Sequence, residues 1–472
     1  MLNHMMRPYF HFPSYTEDRG DSVLCVWSER TYWAVLNRSV LSVLKSLDGN
    51  KTIPELIKSP ERSVPDTLIL ESIALLSANG VITQDSKAFA RVPLVDEHRI
   101  KVIYINMTLK CNLKCTYCYN ANNPDAKKDD VLNMEALKRF IDQAAPMAQP
   151  TANLLLVGGE PLLETDKVLE LANYARRYKL TTVVSTNGTT ISEKFCRDAQ
   201  KVGLQVQVSI DGHNSAIHDS FRGKGVFDSA IEGVKRLVSN HVFTILYMVC
   251  DRKNIDNLQD YLEFASLLHV DQVRFYPVKL MGGATHQPDV IPPDEVVAKA
   301  YKIFSDNPRY IPLLGRDYFS HLFNVCRYSL KRSSCGIGSQ MVLIDTDGSV
   351  YPCLSSKRPN FKIGNICDAD FDLQELWRNS DILKALRKQV NINTPSNACF
   401  PCALKGWCLG GCKGETFGHS GALSAQSPHC AQLKRAILDS MWMIFGDRLF
   451  LPEMHGIPGH TGLAVPVTAS DK

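Results

Sequence analysis

Residues 102–118 read VIYINMTLKCNLKCTYC. The β-branched and aromatic run from Val102 to Asn106 predicts a strand, and Cys111, Cys115 and Cys118 follow it in a C-x3-C-x2-C loop. Three thiolates in one tight loop can hold only three irons of a four-iron, four-sulfur cluster, so one iron is left without a protein ligand. A closed structural site would draw its fourth ligand from close by, and the missing thiol points to a reactive centre. A zinc loop, with Cys111 and Cys115 as its first pair and a ligand from elsewhere, is the alternative that the triplet alone leaves open.

Working outward, short β-branched runs alternate with amphipathic stretches of helical length from Val102 to Tyr276. That alternation predicts an α/β fold with a parallel sheet. Six strands are expected, near 102–106, 153–157, 181–185, 205–209, 242–249 and 272–276, with helices such as Met134 to Ala144 and Ile255 to Leu268 between them. Six units suit a partial (β/α)6 barrel, whose site would lie at the C-terminal strand ends. After the first four strands come CNLKCTYC, GGEP, TNG and DG, so four unusual motifs should share one rim.

The triplet and these rim motifs resemble the radical S-adenosylmethionine (SAM) superfamily. The resemblance implies that SAM binds the open iron and, on reduction, yields a 5′-deoxyadenosyl radical. It assigns Glu160 of Gly158-Gly159-Glu160-Pro161 to the SAM ammonium and Arg222 of HDSFRG to its carboxylate, since a guanidinium grips a carboxylate in two places. Ser185 and Asn187 after the third strand, and Ser209 and Asp211 after the fourth, suit the ribose and methionine parts. Tyr117, beside the last cysteine, is a candidate for packing near adenine, as is Tyr119. Each of these polar residues has an ordinary reading as a turn or cap.

A second array begins at Cys335, which precedes Gly348 by thirteen positions, and Gly348 precedes Cys353 by five. Cys399, Cys402, Cys408 and Cys412 then form C-x2-C-x5-C-x3-C, followed by Cys430. This order resembles the SPASM domain, an extension that carries two auxiliary clusters. The family's interleaved pattern implies Cys326, Cys335, Cys353 and Cys412 for one cluster, and Cys399, Cys402, Cys408 and Cys430 for the other. Cys326 is preferred as the eighth ligand over Cys367, because Ile363 to Ile366 reads as a strand leading to the next helix.

The first hundred residues predict a hairpin (Val23 to Trp27, Tyr32 to Leu36), a helix from Val40 to Leu47, a turn at Asp48-Gly49, and a short helix after Thr52-Ile53-Pro54. A longer helix from Pro65 to Ala78 follows, then a strand from Val81 to Thr83. This winged-helix-like order suggests DNA, but Pro65 to Ala78 contains no Lys or Arg. The segment resembles instead the small peptide-binding domain of pyrroloquinoline quinone biosynthesis, which adds a leader peptide to its sheet edge. A purely structural cap is the alternative.

The expected organisation is therefore 1–95, a leader-binding domain; 96–310, the partial barrel; 311–447, the SPASM domain; and 448–472, a tail. With 53 basic and 49 acidic residues spread along the chain, no polybasic stripe argues for nucleic acid. No run of about 18 apolar residues suggests a membrane span, and no signal peptide is evident, so a cytoplasmic location is expected. In such a reducing compartment, fifteen cysteines are not expected to form disulfides, and metal ligation is expected for the clustered ones; Cys25, Cys196 and Cys250 read as buried small hydrophobes, and Cys367 as packing.

These resemblances together imply a radical SAM oxidoreductase that cross-links side chains of a ribosomally made precursor peptide and draws electrons from a donor such as flavodoxin or ferredoxin. Two alternatives stand beside it. An anaerobic sulfatase maturase would carry an aspartate after the cysteine equivalent to Cys353, where this chain has Leu354. A non-catalytic iron-sulfur peptide-binding protein would need no GGEP. No residue is singled out as the substrate base; Asp211, Tyr247 and Tyr276 are candidates to line the pocket.

Overall fold

The computed structural model describes residues 7–58, 64–88, 98–121, 132–285, 290–315 and 332–447. Five strands lie in the N-terminal segment: β1 (Tyr9–Phe10), β2 (Tyr15–Arg19), β3 (Ser22–Trp27), β4 (Tyr32–Asn37) and β5 (Ile82–Thr83). β2, β3 and β4 form an antiparallel sheet in that order, and β1 pairs with β5. Helices Arg38–Leu44, Ile53–Ile57 and Asp66–Ala78 pack beside them. The first is capped by Asn37, and the second by a Thr52–Glu55 capping box. Both expected hairpin strands and all three helices are present, whereas β1 and β2 were not foreseen.

Alternation along β3 and β4 divides this small sheet between two cores. Val23, Cys25, Trp27, Tyr32, Ala34 and Leu36 pack with the local helices. Leu24, Val26, Trp33 and Val35 face the other way and join the main core of the molecule, as the period of two requires.

Six parallel strands follow: β6 (Ile100–Thr108), β7 (Ala148–Gly158), β8 (Thr181–Thr186), β9 (Gln205–Ser209), β10 (Thr244–Cys250) and β11 (Gln272–Pro277). They lie side by side in sequence order, the α/β partial barrel expected, and helices such as Met134–Ala144 and Val226–Ser239 cover the outer face. β12 (Met341–Ile344) was not expected to continue this sheet. It pairs parallel with β6, and β13 (Ser349–Tyr351) and β14 (Gly364–Asn365) extend it antiparallel. The barrel and the C-terminal cysteine segment thus share one nine-stranded sheet.

Register sorts the inner face of the barrel. Gln207 pairs with Ser185, and Tyr247 with both Ser209 and Arg274, so these residues share one side. Gln207 also donates to Ser185 Oγ at 3.1 Å and accepts from Arg274 at 3.1 Å. The opposite side carries Val184, Val206, Val208, Leu246 and Met248, all buried in the main core. Cys25, Cys196 and Cys250 are fully buried too.

Candidate functional site

The cysteine loop leaves β6 where the strand register breaks between Asn106 and Thr108. Gly158 makes this possible: at φ +138° it presents no side chain where a Cβ would sit 2.2 Å from the Thr108 carbonyl. Gly159 and Glu160 then donate their amides to Thr108 and Lys110 carbonyls at 2.7 and 2.8 Å. On the opposite side Gly283 donates to the Cys118 carbonyl at 2.8 Å, and a Cβ on Gly282 would collide with that same carbonyl. The loop is therefore held between two glycine pairs.

Cys111, Cys115 and Cys118 sense one another electrostatically. Burial pushes the Cys115 thiol up to about 11 and raises Cys111 as well, with Arg222 opposing both shifts. Thiols in such surroundings become thiolates when a metal replaces their protons. Three thiols of one loop, each within the others' electrostatic reach, are the donor set that a cluster with one open iron needs.

Around them the rim is tied together. Glu160 is fully buried and accepts from Thr186 Oγ1 at 2.6 Å, Leu162 N at 3.0 Å and Asn187 N at 2.7 Å. Its carboxyl is nevertheless raised, because burial outweighs those bonds. Asn187 donates to Asn112 Oδ1 at 2.8 Å, and Asn112 donates to Thr189 Oγ1 at 2.9 Å, which links the β8 end to the cysteine loop. Ser185 and Ser209 sit half-buried on the inner face.

Arg222 is occupied within the protein. Its Nε donates to Asp211 at 2.5 Å, its Nη2 to the Tyr117 hydroxyl at 2.6 Å, and its Nη1 lies 4.0 Å from Cys115 Sγ. Tyr117 in turn donates to Asp211, and Asp211 accepts from Val249 N at 3.0 Å. Tyr117, itself half-buried, thus forms a polar triad with the buried Asp211 and Arg222 and packs its ring on Phe221, with centroids 5.8 Å apart. Sequence reasoning did not foresee this triad, since Asp211 in a DG string reads as a turn.

The other end of the inner face is aromatic. Tyr247 and Tyr276 stack with centroids 5.6 Å apart, and burial raises Tyr104 and Tyr247. Lys279, just past β11, is solvent-accessible yet interacts electrostatically with Cys412, Tyr247, Cys353 and Tyr104. It lines an open cleft of ≈ 880 Å³ together with Tyr276, Cys412, Glu415 and His429, which joins the barrel mouth to the second array. No sequence signal marked Lys279.

The second array divides into two groups. Cys335, Cys353 and Cys412 interact with one another, and so do Cys399, Cys402, Cys408 and Cys430. The latter four line a small pocket that opens to solvent. Burial pushes the Cys353 and Cys408 thiols up to about 12. The grouping matches the interleaved assignment for seven cysteines, and their donor chemistry fits two four-iron clusters. Cys326 lies outside the described residues. Cys367 is exposed and sits against the Gly348 turn, where a Cβ would lie 2.9 Å from its sulfur.

Comparison with known proteins follows the same division. Residues 105–265 match the radical SAM superfamily, and residues 335–403 match SPASM, an iron-sulfur cluster-binding domain. The chain is similar to mycofactocin maturase MftC of Mycolicibacterium smegmatis, 29% identical over 69% of this chain and 81% of the relative. It is also similar to the AdoMet-dependent heme synthase of Methanosarcina barkeri, 25% identical over 70% and 96% of the two chains. The crystal structure of Streptococcus suis SuiB bound to precursor peptide SuiA shares the fold with a TM-score of 0.59 at 15% identity, covering 90% of this chain and 98% of that one.

Proposed function

Since the chain is a radical SAM enzyme with a SPASM iron-sulfur domain, we propose that it matures a ribosomally made precursor peptide by closing a carbon–carbon, carbon–oxygen or thioether link between side chains. The observation that carries this reading is the cysteine triplet at the rim of the barrel, together with a separate open cleft that runs from Tyr276 and Lys279 to Cys408 and Cys412 of the two further cysteine groups. The similarity to a maturase, and to a fold seen with a precursor peptide, supports it.

When bound, the cluster and SAM supply a 5′-deoxyadenosyl radical. Cys111, Cys115 and Cys118 hold the cluster, Gly158 and Gly159 admit SAM close to the backbone, and Ser185, Asn187 and Ser209 offer polar contacts to it. Tyr104, Tyr247 and Tyr276 line the barrel mouth and keep water from the reacting atoms. Closing one link removes two hydrogens in all. One would leave as an atom to the 5′-deoxyadenosyl radical, giving 5′-deoxyadenosine, and the other as a proton to solvent and an electron; clusters held by the two auxiliary cysteine groups would be the place for that electron. A flavodoxin or ferredoxin supplies the electron that starts each turnover.

The leader is assigned to the N-terminal sheet, where β2 is an outer strand with partly exposed residues and offers an edge for strand addition. Tethering there raises the effective concentration of the core peptide at the radical. Leu354 after Cys353 weighs against formylglycine formation.

The test is anaerobic reconstitution, reduction and addition of SAM with a synthetic peptide encoded beside the gene. The expected products are 5′-deoxyadenosine and a peptide lighter by two hydrogens per link. Absence of 5′-deoxyadenosine would sink the radical reading; its formation with an unchanged peptide would sink the substrate.

A further inference from the structure

Lys413 is only 1% exposed. Among the described residues its ammonium donates to the Ala425 carbonyl at 3.3 Å and has no carboxylate at ion-pair distance. A buried ammonium without a counter-charge costs on the order of several kcal/mol, so a protein that keeps one there has something negative for it to face.

What it faces is sulfur. Gly410, at φ +78°, leaves open a point that is 2.7 Å from Lys413 Nζ and 3.4 Å from Cys399 Sγ. Cys335 packs against Cys399 in one small cluster, and the main-chain N–H of Lys413 bears on its sulfur. One residue thus touches both auxiliary groups, with its charge against the Cys399 group and its amide against the Cys335 group.

We propose that Lys413 is the shared counter-charge of the two auxiliary clusters and raises the reduction potential of both. The inference rests on the reading of the seven cysteines as ligands of two clusters. Cluster potentials follow local charge and hydrogen bonds to sulfur, and the two contributions of Lys413 are separable. Lys413→Met removes the charge and keeps the amide.

The experiment is a redox titration of the reconstituted enzyme followed by electron paramagnetic resonance, with iron content measured on each sample. In Lys413→Met the Cys399-group cluster should be at least tenfold less reduced at a fixed potential, a shift of about 59 mV for a one-electron couple. The Cys335-group cluster should shift less, the triplet cluster should not move, and Lys413→Arg should stay near the parent. Lys434→Met, a more solvated cation lining the same pocket, should shift less than Lys413→Met.

Three full clusters with unmoved potentials in Lys413→Met overturn the counter-charge, as does an equal shift in the Arg variant. If Lys413→Met loses iron while Lys413→Arg keeps it, the charge is required for assembly and the proposal stands. If both lose iron, Lys413 acts by packing and the proposal falls. A parent enzyme holding a single cluster's iron refutes the cysteine assignment itself.

Discussion

Asp211 accepts the Arg222 Nε–H at 2.5 Å, and this buried pair lies against the cysteine loop through the 4.0 Å approach of Arg222 to Cys115. Both charges are out of water, so removing one partner strands the other. Asp211→Asn and Arg222→Gln should each destabilise the protein by about 3–5 kcal/mol, read from urea unfolding. The double variant should be far less than additive, because the residues act as one unit. Additive losses, or a Arg222→Gln variant of parental stability with weakened SAM binding, would show instead that Arg222 is free to serve the cofactor.

His218 supplies a pH signature for the same region. It is fully buried, its Nδ1 accepts the Asp211 amide at 3.1 Å, and its pKa is lowered to about 4, by burial first and by Arg222 second. The folded state therefore refuses a proton that the unfolded chain accepts below about 6.5. Stability from this group is complete above that value and is lost as pH falls towards 4, by about 2 kcal/mol between pH 7 and pH 5. Urea midpoints of the parent and His218→Gln at both pH values check it. The parent should lose more than the variant, and parallel losses would contradict it.

The barrel was legible because its six strands are dense β-branched runs and its helices carry clear apolar stripes. Met134–Ala144 was foreseen to both ends, since Asn133 caps it by accepting from Ala136 N at 3.0 Å. β2, with the sequence YTEDR, escaped notice because its residues are polar on both faces. The pairing of β12 with β6 joins Met341 to Val102, and parallel partners so far apart leave no local trace. At the site, cysteine spacing carries its meaning in the sequence itself. The roles of Asp211, His218, Lys279 and Lys413 arise only when distant segments meet, and no spacing announces them.

Cys326 and Cys367 compete for the eighth auxiliary position. Cys367 is exposed and packs on the Gly348 turn. Cys367→Ala should keep its full iron content, whereas Cys326→Ala should lose one cluster's iron, about four atoms per chain. Iron and sulfide analysis of the reconstituted variants distinguishes them, and the reverse pattern would make Cys367 the ligand. Replacing Cys111, Cys115 or Cys118 should also remove one cluster, and with it all 5′-deoxyadenosine formation.

The helix Cys430–Asp447 begins at an auxiliary cysteine and ends on the N-terminal sheet. Trp442 donates to Glu17 Oε1 at 2.9 Å, Arg19 lies 4.7 Å from the Trp442 ring centre, and Arg19 pairs with Asp439 at 3.1 Å. The ion pairs are partly exposed and contribute little, so the aromatic ring, 8% exposed, carries the contact. Trp442→Ala should cost up to about 3–5 kcal/mol, chiefly as release of the N-terminal domain, whose apolar residues Leu24, Val26, Trp33 and Val35 would lose part of their cover. Limited proteolysis should then cut within residues 7–88 sooner than in the parent. Cys430→Ala, which frees the other end of the helix from its cluster, should move cleavage the same way and by less. Unchanged cleavage in Trp442→Ala would mean that the sheet is held by its core residues alone, and that the helix does not couple Cys430 to the N-terminal domain.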